Sequence, residues 1–200
     1  RDRYKNMNTK NYIYELDNFI DCLYVYNKAQ KLLSEDWLEL SDPYALGQYT
    51  DNENYYIKVE SDDYLSSIKA KFPKLKSYIK LLKSEKGIWP AHVDNWRITA
   101  INIPLSNIEG CDTIFYKDNY VKKDAMYSPF GKVKGTWKSN KWITYIETKE
   151  ELFKHQLTKP TIINTNKPHS VIKHTEGYRI IASWTYDAPF EQAVKDFSCQ

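Results

Sequence analysis

The chain has 200 residues and 23.7 kDa; 42% of it is hydrophobic, 28% charged and 15% aromatic, and its formal net charge is +3. That composition suits one domain over 1–200 with a real core and excludes wholesale disorder. So small a positive balance argues against non-specific nucleic-acid binding by the whole chain, and no apolar run approaches the ~18 residues a membrane span needs.

Taken in chain order, residues 1–86 read as a helix-rich support. Tyr12-Ile13-Tyr14 and Tyr55–Val59 suit short strands, and a weak helical stretch covers 18–34. Tyr64, Leu65, Ile68, Phe72, Leu75, Ile79 and Leu82 recur at spacings of three and four, which predicts an amphipathic helix. Ser61-Asp62-Asp63 can cap its start, Gly87 lies beyond its end, and Pro73 should kink it or divide it into two helices. After Gly87 the pattern turns to short strands: 97–103 ended by Pro104, then 112–117, 132–138, 141–147, 161–164, 168–174 and 178–186. One short helix is expected over 148–157. Strands at this spacing argue a sandwich or closed barrel, the jelly roll being one solution. The expected class is α+β, mainly β, with helices packed outside a core at 87–190 that carries an insertion over 117–147.

Cys22, Cys111 and Cys199 are widely spaced and form no CxxC, and no secretory n- and h-region opens the chain, which begins at Arg1. A reducing, cytoplasmic setting is expected. Cys111 has no sequence neighbours suited to nucleophilic chemistry. There is no Ser/His/Asp motif, P-loop or dinucleotide fingerprint.

The chemistry-bearing residues are sparse. His92 and Asp94 lie two apart in an extended segment, so an imidazole and a carboxylate face the same way. Four His and 26 acidic residues make an H-x-[DE] a chance event roughly half the time, so the pair needs context. His92 alone could equally be a buried, hydrogen-bonded side chain. His169 stands where the turn at 164–168 feeds a strand, and Arg179 opens the next strand ten residues later. The turn at Thr175-Glu176-Gly177 suggests that these strands are antiparallel neighbours with both side chains inward. Arg179, flanked by Ile, Ala and Trp, is costly to bury without an anion. That anion is either an internal Asp or Glu or a bound carboxylate. Arg97 has odd parity relative to His92 and Asp94 and is expected to point outward. Asn102 has their parity and could bond a co-substrate or merely edge a strand. His155, in the expected helix, and His174, in a polar turn, are expected in solvent.

Two His and one carboxylate with open positions form the facial triad of non-haem Fe(II) oxygenases. With H-x-D before a strand, a distal His and an Arg ten residues on, the segment Trp89–Tyr186 resembles the 2-oxoglutarate/Fe(II)-dependent oxygenase superfamily. The motifs Pro90-…-His92-…-Asn95-Trp96-Arg97-Ile98 and Pro168-His169-Ser170-Val171 look most like its aspartyl/asparaginyl β-hydroxylase-like branch. That branch's characterised hydroxylases lack the acidic ligand, and prolyl-hydroxylase-like members, which keep H-x-D, are close competitors. The resemblance implies a double-stranded β-helix (jelly roll, cupin-like) core, with Fe(II) on His92, Asp94 and His169 and the distal carboxylate of 2-oxoglutarate on Arg179. It also implies O2 as co-substrate, with ascorbate as a possible auxiliary reductant. Family members often add a hydroxyl from the Arg strand at the position that here is Ile181; Ser183 shares Arg179's parity, and Arg97 is a further co-substrate candidate. The implied reaction converts 2-oxoglutarate to succinate and CO2 while hydroxylating a peptidyl or small-molecule substrate. The rivals are a non-catalytic jelly-roll binding or structural protein and a cupin-like metalloenzyme without 2-oxoglutarate.

From Lys117 to Lys141 seven Lys face Asp118 and Asp124, with Tyr120, Tyr127, Phe130 and Trp137 interleaved and Gly131 and Gly135 leaving the backbone free. Such a segment is either a solvated loop or a flap for an anionic substrate, a stacking nucleic-acid base among them.

Overall fold

Every residue from Arg179 to Tyr186 is buried, because this strand is covered on both faces. Ile180, Ala182, Trp184 and Tyr186 join a cluster with the helix residues Val25, Ala29, Leu65, Ile68, Ala193 and Phe197. The period-two pleat leaves Arg179, Ile181, Ser183 and Thr185 for the opposite face, which looks into the barrel.

The computed structural model describes residues 9–32, 56–84, 86–95, 97–123, 125–127, 136–139, 143–148 and 150–198. Its strands are β1 (Ile13–Glu15), β2 (Tyr56–Lys58), β3 (Leu75–Ser84), β4 (Gly87–Asp94), β5 (Thr99–Ser106), β6 (Cys111–Tyr116) and β7 (Val121–Lys122). There follow β8 (Ala125–Tyr127), β9 (Thr136–Lys138), β10 (Ile143–Glu147), β11 (Glu151–His155), β12 (Thr161–Asn164), β13 (His169–Lys173) and β14 (Arg179–Tyr186). Among the described residues three α-helices accompany them, α1 (Cys22–Leu32), α2 (Asp63–Lys71) and α3 (Phe190–Ser198).

One six-stranded antiparallel sheet runs β1-β12-β5-β14-β3-β2 and the other β11-β6-β13-β4-β10-β7, with β8 and β9 forming a separate hairpin. Through β3–β6 and again through β11–β14, successive strands alternate between the sheets. That winding is a double-stranded β-helix, a jelly roll. Between β6 and β11 come β7–β10, of which β10 extends the second sheet beside β4. The helices pack on the outer face of the first sheet, as the sequence suggested.

The predicted long helix over 64–82 is half strand. α2 begins at an N-cap, Asp62, whose carboxylate accepts from Leu65 N at 3.0 Å. It stops at Lys71 because Pro73 drives Phe72 out of the helical region. Leu75, Ile79 and Leu81 then bury as alternate residues of β3. A spacing of four belongs to both helix and strand periods, so the stripe did not discriminate. Similarly, 148–157 is not a helix: β11 carries a bulge between Glu151 and Phe153, which lets the adjacent Leu152 and Phe153 both bury. Pro104 does not end its strand. β5 runs on to Ser106, with Pro104 paired to Ile181 of β14 beside a register shift and beyond the reach of β12, which pairs β5 only as far as Asn102. Helix α3 was not anticipated, although Phe190, Ala193 and Phe197 bury at helical spacing. Residues 132–135 and 141–142 of two predicted strands lie outside the described residues, as does Cys199; Cys22 and Cys111 are free thiols. Among the described residues no helix is long and apolar enough to cross a membrane.

Candidate metal and anion site

His92, near the end of β4, and His169, at the start of β13, are direct cross-strand partners in the second sheet. Their rings lie 4.3 Å apart, centroid to centroid. Asp94, two residues after His92, shares its face, and its backbone N–H donates to Thr165 O at 3.0 Å, tying the strand end to the turn before His169. The ligand atoms of His92, Asp94 and His169 all lie within 4.8 Å of one another, and all three residues are buried.

The surroundings prepare these atoms for a cation. His92 Nδ1–H donates to Pro90 O and His169 Nδ1–H to Lys167 O, each at 2.8 Å in the tautomer that leaves Nε2 unprotonated. Both rings thus present a lone pair, as metal-bound imidazoles do. Burial, reinforced by His169, pushes His92 down to about 3, and burial also lowers His169. Burial works against ionising Asp94, but Arg97 and the two imidazoles outweigh it and hold the carboxyl below its usual range. Two neutral imidazoles and one carboxylate are the donor set of a non-haem iron site. The residues fit the metal that the resemblance implies.

Arg97 is inside, contrary to the parity expectation. Its Nε–H donates to Asp94 Oδ2 at 2.6 Å and its Nη1 to Ser183 Oγ at 2.6 Å. The alternation does not carry to Arg97 because β4 ends at Asp94 and β5 begins at Thr99. Ser183 in turn donates to Asn102 Oδ1 at 2.7 Å, from the directly paired position of β5. A hydrogen-bond chain therefore runs from Asp94 through Arg97 and Ser183 to Asn102, joining the two sheets across the barrel.

Arg179 is 5% exposed and its Nε has no hydrogen-bond partner. Burial works against its charge, and among the described residues no carboxylate offsets this; the group that acts on it is the Cys111 thiol. Among those residues, then, Arg179 has no internal salt bridge. The expected placement needs correction: β13 and β14 are not neighbours but lie in opposite sheets, so the 175–177 turn carries the chain across the barrel. Arg179 acts electrostatically on Cys111 and on His155, which stand on β6 and β11 of the facing sheet. His155, expected in solvent, is 8% exposed, with Nε2 unpartnered. Its sequence signal was the alternation of Phe153 and His155, masked by the bulge before them. Lys173, opposite Cys111 on β13, is also buried, with Nζ donating to Thr175 Oγ1 at 2.7 Å. His174 is exposed, as expected, and its Nε2 lies 3.2 Å from Asp112.

No protein-family model matches the chain, and no curated protein does. Among solved structures it is similar to a Pseudomonas putida prolyl-4-hydroxylase, at 12% identity over 90% of each chain with a TM-score of 0.41. A viral collagen prolyl hydroxylase from Paramecium Bursaria Chlorella virus-1 follows at 17% identity, 87% of this chain and 88% of that one, TM-score 0.36. An L-ribose isomerase of Acinetobacter sp. DL28 is similar at 11%, over 76% and 79%, with a TM-score of 0.29. The jelly-roll assignment rests on the strand order, and the chemistry on the side chains.

Proposed function

We propose that this chain is an Fe(II)- and 2-oxoglutarate-dependent dioxygenase that hydroxylates a peptidyl side chain or small molecule. His92 Nε2, Asp94 Oδ1 and His169 Nε2 would hold the iron. With a 2-oxo acid and O2 bound, that metal supplies the oxidation that couples conversion of 2-oxoglutarate to succinate and CO2 with hydroxylation of a C–H bond. The carbonyls of Pro90 and Lys167 keep both imidazoles in the metal-binding tautomer. Arg97 occupies Asp94 Oδ2, so the carboxylate offers one oxygen, and Ser183 with Asn102 fixes the Arg97 guanidinium. Arg97, Ser183 and Asn102 are read here as positioning residues rather than direct co-substrate contacts. Arg179 receives the distal carboxylate of 2-oxoglutarate.

The observation that carries the reading is Arg179: a buried guanidinium with no carboxylate partner among the described residues, in a barrel that also holds the His92, Asp94 and His169 cluster. A metal-binding jelly roll that takes no dicarboxylate has no use for it. The anionic-substrate flap draws less support. Lys117 is paired with Glu150, Lys123 with Glu147 at 2.9 Å, and Asp118 with Lys167 at 2.7 Å, while Lys132, Lys134 and Lys141 lie outside the described residues. A cytoplasmic setting accords with the free thiols of Cys22 and Cys111.

The test is succinate formation from 2-oxoglutarate with Fe(II), O2 and ascorbate, with and without prime substrate. Turnover lost in Arg179→Gln with metal binding retained supports the reading. Metal binding without affinity for 2-oxoglutarate would instead favour a cupin-like metalloenzyme, and absence of both a non-catalytic jelly roll.

A further inference from the structure

Among the described residues three buried side-chain polar atoms lack a hydrogen-bond partner: Arg179 Nε, His155 Nε2 and Thr148 Oγ1. The first two stand on facing sheets, β14 and β11, and Arg179 acts electrostatically on His155. Buried polar atoms left without partners are rare and costly, so two of them in one electrostatic neighbourhood point to a group that binds from outside. A carboxylate has room for about four hydrogen bonds, more than one guanidinium fills. β14 offers little further help. Ile181 is apolar, and the one hydroxyl hydrogen of Ser183 is committed to Asn102. Lys173 spends one of its three N–H donors on Thr175. His155 brings a ring nitrogen with no partner of its own, on the same face of β11 as Phe153, which packs with Phe115 in the apolar cluster inside the barrel.

We propose that His155 Nε2–H and the Arg179 guanidinium form a two-sided seat for one carboxylate, so that His155 selects 2-oxo dicarboxylic acids over 2-oxo monocarboxylic acids. The proposal rests on the Arg179 assignment above. His155 is neither a metal ligand nor a partner of one. Its part is to bind the end of the co-substrate remote from the reacting carbons.

Binding separates the two readings without turnover. The full chain is loaded with Mn(II) under anaerobic conditions, and 2-oxoglutarate and 2-oxopentanoate, which lacks the distal carboxylate, are titrated by calorimetry. His155→Phe, which keeps a ring in the buried position, should weaken 2-oxoglutarate about tenfold and leave 2-oxopentanoate unchanged. His155→Gln restores an N–H donor and should recover most of the loss. Unchanged 2-oxoglutarate affinity in His155→Phe, beside a large loss in Arg179→Gln, would overturn the proposal and leave the Arg179 assignment standing. Equal weakening of both acids, or no recovery with Gln, would make His155 a packing residue only. If the unaltered protein does not prefer 2-oxoglutarate to 2-oxopentanoate, the Arg179 assignment fails and the proposal with it.

Discussion

Arg97 Nε lies 2.6 Å from Asp94 Oδ2, while the other carboxylate oxygen, Oδ1, faces His92 Nε2 at 3.7 Å. One oxygen is thus spent on a fixed cation and the other is left for a mobile one. The same guanidinium reaches Ser183, so the Asp94 carboxylate is braced against the strand that also carries Arg179.

Replacing Arg97 by Met frees Oδ2 and removes the charge that keeps Asp94 ionised. Loss of such a supporting contact typically costs ten- to a hundredfold in metal affinity. We expect Mn(II) affinity to fall by about that factor, and the metal-free protein to lose roughly 3 kcal/mol for the unpaired buried carboxylate. Both are read from one set of urea melts with and without metal. An unaltered metal affinity would show that Arg97 braces the fold alone.

His169→Ala removes one of the three proposed ligands and one side chain facing His92. Stoichiometric Fe(II) or Mn(II) binding should disappear, while circular dichroism and the melting profile show a folded jelly roll. Metal retained at one equivalent in this variant would take His169 out of the site.

The clustering of His92, Asp94 and His169 was legible in part because it rests on short-range rules. The i, i+2 relation of His92 and Asp94 holds wherever the backbone is extended, and β4 is extended through Asp94. His169 and Arg179 were found from strand starts. What was not legible depended on long-range topology. A ten-residue spacing could not tell a hairpin from a crossing between sheets, so His169 and Arg179 were set side by side when they lie in opposite sheets. Arg97 was misplaced for a local reason, since parity has no meaning in the 95–98 bend. His155 was misplaced because one bulge turned an alternating strand into a pattern that mimics a helix turn.

Arg179 is expected to cost stability in return for binding. A buried charge without a partner is unfavourable, and replacing it by an apolar side chain of similar length is often stabilising. Arg179→Met should therefore raise the stability of the ligand-free protein by about 1–3 kcal/mol while removing most of the stabilisation that 2-oxoglutarate binding confers. Denaturant melts with and without 2-oxoglutarate and Mn(II) check both halves. If Arg179→Met destabilises the ligand-free protein, the guanidinium has an internal role that its lack of partners does not reveal.

Asp196 on α3 supplies the pH dependence that is simplest to isolate, because it is far in sequence from the triad and clamps the helix to the first sheet. It accepts from Lys74 Nζ at 2.9 Å, Tyr186 Oη at 2.6 Å and Gln192 Nε2 at 2.6 Å. The Lys74 bond, followed by that of Tyr186, holds its carboxyl down at about 2. A carboxyl lowered on folding stabilises the native state fully above its unfolded value, about 3.9, and that contribution fades as pH falls toward the folded value. The wild-type protein should therefore lose more stability between pH 5 and pH 2 than Asp196→Asn, which keeps an acceptor for Tyr186 but carries no charge. The gap between the two should be largest above pH 5, shrink with added salt because Lys74 and Asp196 are partly exposed, and close near pH 2. Thermal melts across that range decide it: parallel curves for the two proteins would mean that the carboxylate holds α3 as a hydrogen-bond acceptor and not as a charge.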